Sequence, residues 1–173
     1  MHRLMVLERG RVSMNGGILP IALLFVSTGL ALALVPWRDA WFGIAALALS
    51  ALLVSVLPIP PSATDAIFIG LWTSIIATAA TSYSTRYFSD RLIIALAINN
   101  GVWAGALAAT SGMRAGLALA IPIALIALPG QWIAARGFGI VLKVVASWVI
   151  AIASLAIFVS LTSTPGYKPD HMG

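Results

Sequence analysis

Apolar residues run almost unbroken along this chain, and the breaks between runs are short and sharply polar. A bilayer hydrocarbon core is about 30 Å thick and takes about 20 apolar helical residues to cross. By that measure the runs predict membrane spans at residues 18–35, 40–58, 65–83, 92–111, 115–135 and 138–162. A basic tail, residues 1–17, precedes them, and a second tail, residues 163–173, follows. No connection is large enough to fold by itself. The expected fold is all-α: a polytopic transmembrane helical bundle of about six spans with short loops, forming one membrane domain.

Each break has a physical cause. Val35-Pro36-Trp37-Arg38-Asp39 joins a helix-breaking proline to two charges and an interfacial tryptophan. Pro58-Ile59-Pro60-Pro61-Ser62 cannot continue a helix, and Thr64 or Asp65 is placed to cap the next one. The stretch from Ser84 to Arg91 is the most charged internal loop, Ser111-Gly112-Met113-Arg114 is a tight turn, and Arg136-Gly137 divides the last two spans. The fifth span carries two interruptions, Pro122 inside it and Pro129-Gly130 near its end, so a five-span or re-entrant variant is the alternative. Ala31-Leu32-Ala33 has the small-residue pattern of a signal-peptide cleavage site. The preceding leader is long and contains Glu8, so the first span is expected to be retained.

Composition fits this picture. Of 173 residues 61% are hydrophobic and only 9% charged, and mean hydropathy is +1.03. A soluble domain carries about 25% charged residues. Ten Lys and Arg against five Asp and Glu give a net charge of +5. In a soluble protein that excess would suggest nucleic acid, but loops this small offer no surface for it. In a membrane protein the same excess faces anionic lipid at loop ends. With no cysteine there is no disulfide, thiolate nucleophile or thiolate metal site.

Basic residues divide almost evenly between the two sides. Arg3, Arg9, Arg11, Arg114 and Lys168 fall with the tails; Arg38, Arg86, Arg91, Arg136 and Lys143 fall opposite. Weight on the flank of the first helix favours cytoplasmic N- and C-termini in an inner (plasma) membrane. Trp37, Trp41, Tyr83, Tyr87 and Trp132 gather at the side opposite the tails. A faint echo relates Leu19-Pro20-Ile21-Ala22-Leu23 to Ile121-Pro122-Ile123-Ala124-Leu125, as if the first two spans and the last two were parallel copies.

Few polar residues lie inside the spans, and these carry the candidate chemistry. Asp65 and Asp90 sit at span ends, and both histidines, His2 and His171, are in the tails. No di-iron, zinc or bis-histidine haem site can be assembled within the bundle, no titratable group suits proton coupling, and no cofactor is expected. The intramembrane candidates are Ser74, Thr78 and Thr81 with Ser82 and Thr85 on one face of the third span, Asn99 and Asn100 in the fourth, and Lys143 with Ser147 in the sixth. Lys143 lies near a helix start, where snorkelling to the interface explains it; the sharper reading is an anion or lipid-headgroup contact on an inward polar stripe. Adjacent residues on a helix are 100° apart, so Asn99 and Asn100 are expected to bond different neighbours. Gly101, Gly105, Ala108 and Gly112 share a face and predict close helix packing, within the chain or with a partner.

No P-loop, GxSxG, HExxH or dinucleotide fingerprint is present. The first functional expectation is a non-catalytic integral subunit of a larger inner-membrane complex, docking helices and packing lipid or a partner's cofactor. The alternative is a small transporter or passive channel, completed as a homo-oligomer through the glycine face. A membrane enzyme ranks third.

Overall fold

A computed structural model describes residues 18–83, 88–112 and 114–162, excluding the side chains of Pro61, Arg114 and Ser160. The tails, with Arg3, Arg9, Arg11 and Lys168, lie outside the described residues, as do Thr85, Arg86 and Tyr87 in the charged loop. Every regular element described is helical. Helix α1 covers Ile18–Leu32, α2 Trp37–Ser55, α3 Thr64–Ala80 and α4 Asp90–Ser111. The fifth span is divided into α5 (Arg114–Ala120), a 3₁₀ stretch (Ile121–Ile126) and α6 (Ala127–Ala135), and α7 (Gly139–Thr162) closes the bundle. Five of these helical segments are long and apolar enough to cross a membrane, with α1 as a shorter sixth. This is a multi-pass helical membrane architecture.

Local chemistry sets the ends. The turn after α1 tightens through Leu34 N–H to Ala31 O (3.1 Å) and Val35 N–H to Leu32 O (3.4 Å) before Pro36 opens the backbone. Helix α2 therefore starts three residues earlier than the apolar run suggests, because Trp37, Arg38 and Asp39 form its first turn and Asp39 meets the positive end of the helix dipole. It also ends earlier: Pro58 disfavours helical backbone just before it. The expected cap at Thr64 or Asp65 is replaced by Ala63, since the 3₁₀ turn Pro61–Ala63 feeds straight into α3. Ser89 caps α4 by accepting from Leu92 N–H at 3.4 Å. After α6, Gly137 takes φ +84°, with Gly137 N–H to Ala134 O (3.0 Å) and Phe138 N–H to Ile133 O (3.2 Å). That is a Schellman turn, and it needs glycine for its positive φ.

Pro122 acts as expected, removing an N–H donor and turning six residues into 3₁₀ helix. Pro129-Gly130 ends nothing. It sits within the first turn of α6, where a proline nitrogen needs no partner.

The core is organised around α1. Ile21, Leu24, Phe25, Ser27, Thr28, Ala31 and Leu32 are fully enclosed, so most of this helix faces protein, while Ile18 and Leu19 at its start are exposed. A Cβ added at Gly29 would strike Ile126 and lie 3.2 Å from Ala124 O, in the 3₁₀ stretch. One at Gly43 of α2 would strike Leu32, and one at Gly130 of α6 would stand 2.7 Å from Ala33 Cβ. Helix α2 lies along α4, while α3 lies between α4 and α7. Lipid gives helices no hydrophobic drive to associate, so this intimacy of small residues and polar contacts is what binds the bundle.

Candidate functional site

The polar side chains inside the bundle converge on Asn100. It is the eleventh residue of the 22 in α4 and has no exposed surface. An amide of this kind has two N–H donors and a carbonyl to satisfy. One N–H donates to Thr28 Oγ1 on α1 at 2.7 Å, and the other to Thr78 Oγ1 on α3 at 2.9 Å. The carbonyl accepts from the hydroxyl of Ser74, also on α3. Ser74 Oγ in turn accepts from Asn99 Nδ2 at 2.6 Å, and Thr28 passes its own proton to Leu24 O at 2.8 Å. The result is a directed chain from Asn99 through Ser74, Asn100 and Thr28 to a backbone carbonyl. Each link polarises the next, which strengthens the whole in a low-dielectric interior.

The two asparagines were expected to serve different neighbours, but both engage Ser74. Asn99 is exposed, yet its amide Nδ2 still donates to the same hydroxyl. The hydroxyl face of α3 is buried as a unit, with Ser74, Thr78, Thr81 and Ser82 all inside. Thr81 bonds back to Thr78 O at 2.7 Å, so its donor is spent within its own helix. Two buried polar atoms, Ser82 Oγ and Trp72 Nε1, find no hydrogen-bond partner among the described residues.

The glycine face of α4 divides into two functions. A Cβ at Gly101 would overlap Ser50 Oγ and Leu47 O and lie 3.1 Å from Ala51 N; one at Gly105 would overlap Ala51 O and lie 2.9 Å from Val54 Cβ. Their partner is thus α2 of the same chain, with Ala108 buried further along the same helix. The single Ser50 hydroxyl proton is shared among Ala46 O at 2.8 Å and Leu47 O at 3.0 Å within α2 and, across the seam, Ile98 O at 3.2 Å. Gly112 does not join this packing. It is exposed, has open space where a Cβ would stand, and ends α4 at φ +70°, which is a capping role.

Lys143 and Ser147 lie on the outer face of α7, both exposed, and not on an inward polar stripe. Ser147 bonds back to Val144 O at 2.8 Å. The backbone carbonyl of Lys143 accepts from Tyr83 Oη at 2.9 Å, which ties the end of the α3 segment to the start of α7. On the same side of the bundle Trp37 and Trp41 meet edge to face at 5.7 Å, and Arg136 stacks 3.7 Å above the Trp132 ring.

Three contributors escaped sequence reasoning. Thr28 is one of two adjacent hydroxyls in an otherwise apolar first span, a signal that was available. Gln131 of α6 donates to Val35 O at 2.9 Å and to Leu32 O at 3.3 Å, capping the end of α1 from another helix. Ser50 bridges two helices from what looks like a single hydroxyl in an apolar run.

This site contains neutral amides and hydroxyls only. It can hold helices in register or hydrogen-bond a neutral group, and it has no nucleophile paired with a base. Comparison with known proteins finds no matching family model, no similar curated protein and no similar solved structure.

Proposed function

We propose that this multi-pass protein is a non-catalytic integral subunit of a larger inner-membrane complex, with both termini on the cytoplasmic side. The observation that carries the reading is the saturation of Asn100: both N–H groups and the carbonyl are engaged by three side chains on two other helices. A residue lining a path would keep part of its amide for solute or water, whereas this one is spent on holding α1, α3 and α4 together. Helix α2 supports the same reading, with Phe42, Leu49, Leu52 and Val56 projecting large apolar side chains from the face opposite its α4 seam. Spaced three, four and seven apart, such residues form a ridge suited to a partner helix.

The decisive experiment is purification in mild detergent from the native membrane. Stable co-purification with other membrane subunits, lost when Leu49 and Val56 are both changed to Ala, supports the reading. A monodisperse homo-oligomer that moves solute in liposomes overturns it.

A specific feature favours transport as the second reading. The 3₁₀ stretch Ile121–Ile126 falls at the middle of the fifth span, where discontinuous helices hold substrate in many transporters. Under that reading Asn99→Leu and Asn100→Leu abolish flux without unfolding the protein; flux that survives both rejects it.

A further inference from the structure

Helix α4 spends its glycine face on α2, and Asn99 stands about 120–160° round the helix from Gly101 and Gly105. It is the tenth of the 22 residues in α4, about 14 Å along a helix of about 33 Å, so its side chain lies near the bilayer midplane. It is also exposed, which at this depth means exposed to hydrocarbon or to another protein. One N–H of its amide donates to Ser74 Oγ at 2.6 Å; the second N–H and the carbonyl meet no partner among the described residues. Leaving a donor and an acceptor unmet in hydrocarbon is costly. The surface around Asn99 permits close approach. Trp103, one turn further on, closes over Gly70 of α3, where a Cβ would strike its ring, so the outer faces of α3 and α4 are continuous here. Around Asn99 they present Thr73, Ala77 and Ala80 from α3 and Ala95 from α4, all exposed. Thr73 gives its proton to Ile69 O at 2.8 Å, which leaves its oxygen to accept. Its neighbour Ser74 meets both asparagines, so Thr73 stands level with them.

We propose that this face binds a second copy of the chain in the same orientation, the Asn99 of each copy bonding the Asn99 of the other across a two-fold axis along the membrane normal. Rotation about that axis preserves depth, so a residue beside it meets its own equivalent at its own level. An amide both donates and accepts, and two of them satisfy each other: the free N–H of one reaches the free carbonyl of the other, twice over. Thr73 stands at the same level as a further acceptor. Lipid acyl chains carry no polar group at this depth, and a different protein must place one there. A second copy brings it necessarily. Ala77, Ala80 and Ala95 let the backbones approach, as small residues do between membrane helices. Small residues alone do not specify what packs on them; the half-met amide does. The inference rests on neither functional reading, since a subunit present twice in a complex and a dimeric transporter use the face alike. The ridge on α2 stays open for other partners.

The test is association of the full chain in vesicles of phosphatidylcholine and phosphatidylglycerol. It is read by Förster transfer between copies labelled with donor or acceptor at a single thiol, Ser62→Cys, as added lipid dilutes the protein. Pairing predicts transfer that saturates at two copies, with an association constant about tenfold lower in Asn99→Leu because two hydrogen bonds are lost. Asn99→Gln keeps the amide and retains most of the association. Ala77→Leu leaves the bond from Asn99 to Ser74 in place and adds bulk at the seam, so it weakens association as well. Under mild oxidation Ala95→Cys, one turn before Asn99, forms a disulfide between copies, and Leu155→Cys on the open face of α7 does not. Wild type that stays monomeric at every dilution, or a folded Asn99→Leu that associates as the wild type does, overturns the inference. If Asn99→Leu fails to fold, undiminished association of Ala77→Leu rejects the face in its place. Neither result touches the co-purification that tests the subunit reading.

Discussion

The Asn100 amide donates to the Thr28 hydroxyl at 2.7 Å, joining the middle of α4 to the last third of α1 across 72 residues of chain. Hydrogen bonds between membrane helices contribute about 0.6 kcal/mol on average and about 1.7 at most, because alternative partners exist in the unfolded reference. Thr28→Val is therefore expected to cost on that order. Asn100→Leu takes one partner from each of three hydroxyls and is expected to cost about 1–3 kcal/mol. A double-mutant cycle read by unfolding in mixed micelles gives the pair's own share, and a coupling of zero would show that the contact stabilises nothing.

Close approach of α2 and α4 makes two glycines irreplaceable for different atoms. Gly101→Ala drives a methyl into Ser50 and the backbone of Leu47, and Gly105→Ala does the same to Ala51. Each is expected to lower stability by about 1–3 kcal/mol, since backbone cannot step aside as a side chain can. Gly139→Ala is the control. It meets nothing within 4 Å on a helical residue, so the thermal midpoint should hold or rise slightly.

Gln131 ties the end of α1 to α6 through the Val35 carbonyl and, more weakly, the Leu32 carbonyl that Val35 N–H also reaches. Gln131→Leu keeps the volume and removes the donor, at an expected cost of about 1 kcal/mol. Amide exchange of residues 33–35 should quicken while that of α4 stays constant. Uniform acceleration across the chain would instead indicate global destabilisation.

The hydroxyl of Ser82 and the indole N–H of Trp72, without a partner among the described residues, belong to side chains 2% and 3% exposed. Removing a buried polar group that has no partner relieves its desolvation cost. Ser82→Ala is thus expected to leave stability unchanged or raise it by up to about 2 kcal/mol. A marked loss in Ser82→Ala would reveal a bonded partner for that oxygen.

A chain without cysteine provides a clean background for mapping sidedness. With cytoplasmic termini, a thiol introduced at Ser62 reacts with an impermeant maleimide only after the cells are opened. One introduced at Phe138 reacts on intact cells. The reversed pattern inverts the proposed orientation.

The helical class and most span limits were legible because hydropathy and proline are local signals. Asn100 was equally visible, as an amide where hydrocarbon should be. What hydropathy could not convey is which apolar face meets protein and which meets lipid, since both are apolar. Leu24 and Phe25 are fully enclosed, whereas Leu155 and Phe158 lie open, yet the two pairs look alike in sequence. Small residues were the better guide, and Gly101 and Gly105 did find their helix. Gly112 shared their spacing but fell past the helix end, where backbone conformation decided its role. Lys143 and Ser147 shared a helical face as their spacing required, but nothing in the sequence said that this face looks outward.

The burial of α1 also bears on how the protein is made. Its central helix is the first of the described spans to leave the ribosome, while the groups that satisfy Thr28 and cap Val35 are encoded about a hundred residues or fewer downstream. Until α4 and α6 arrive, this helix waits in the membrane with its Ser27 and Thr28 hydroxyls bonded only to its own Leu24 carbonyl and its small residues uncovered. The last described span therefore closes the edge of a bundle, whereas the first described one is the pillar the others assemble around. Damage to α1 would strike every later step of assembly at once.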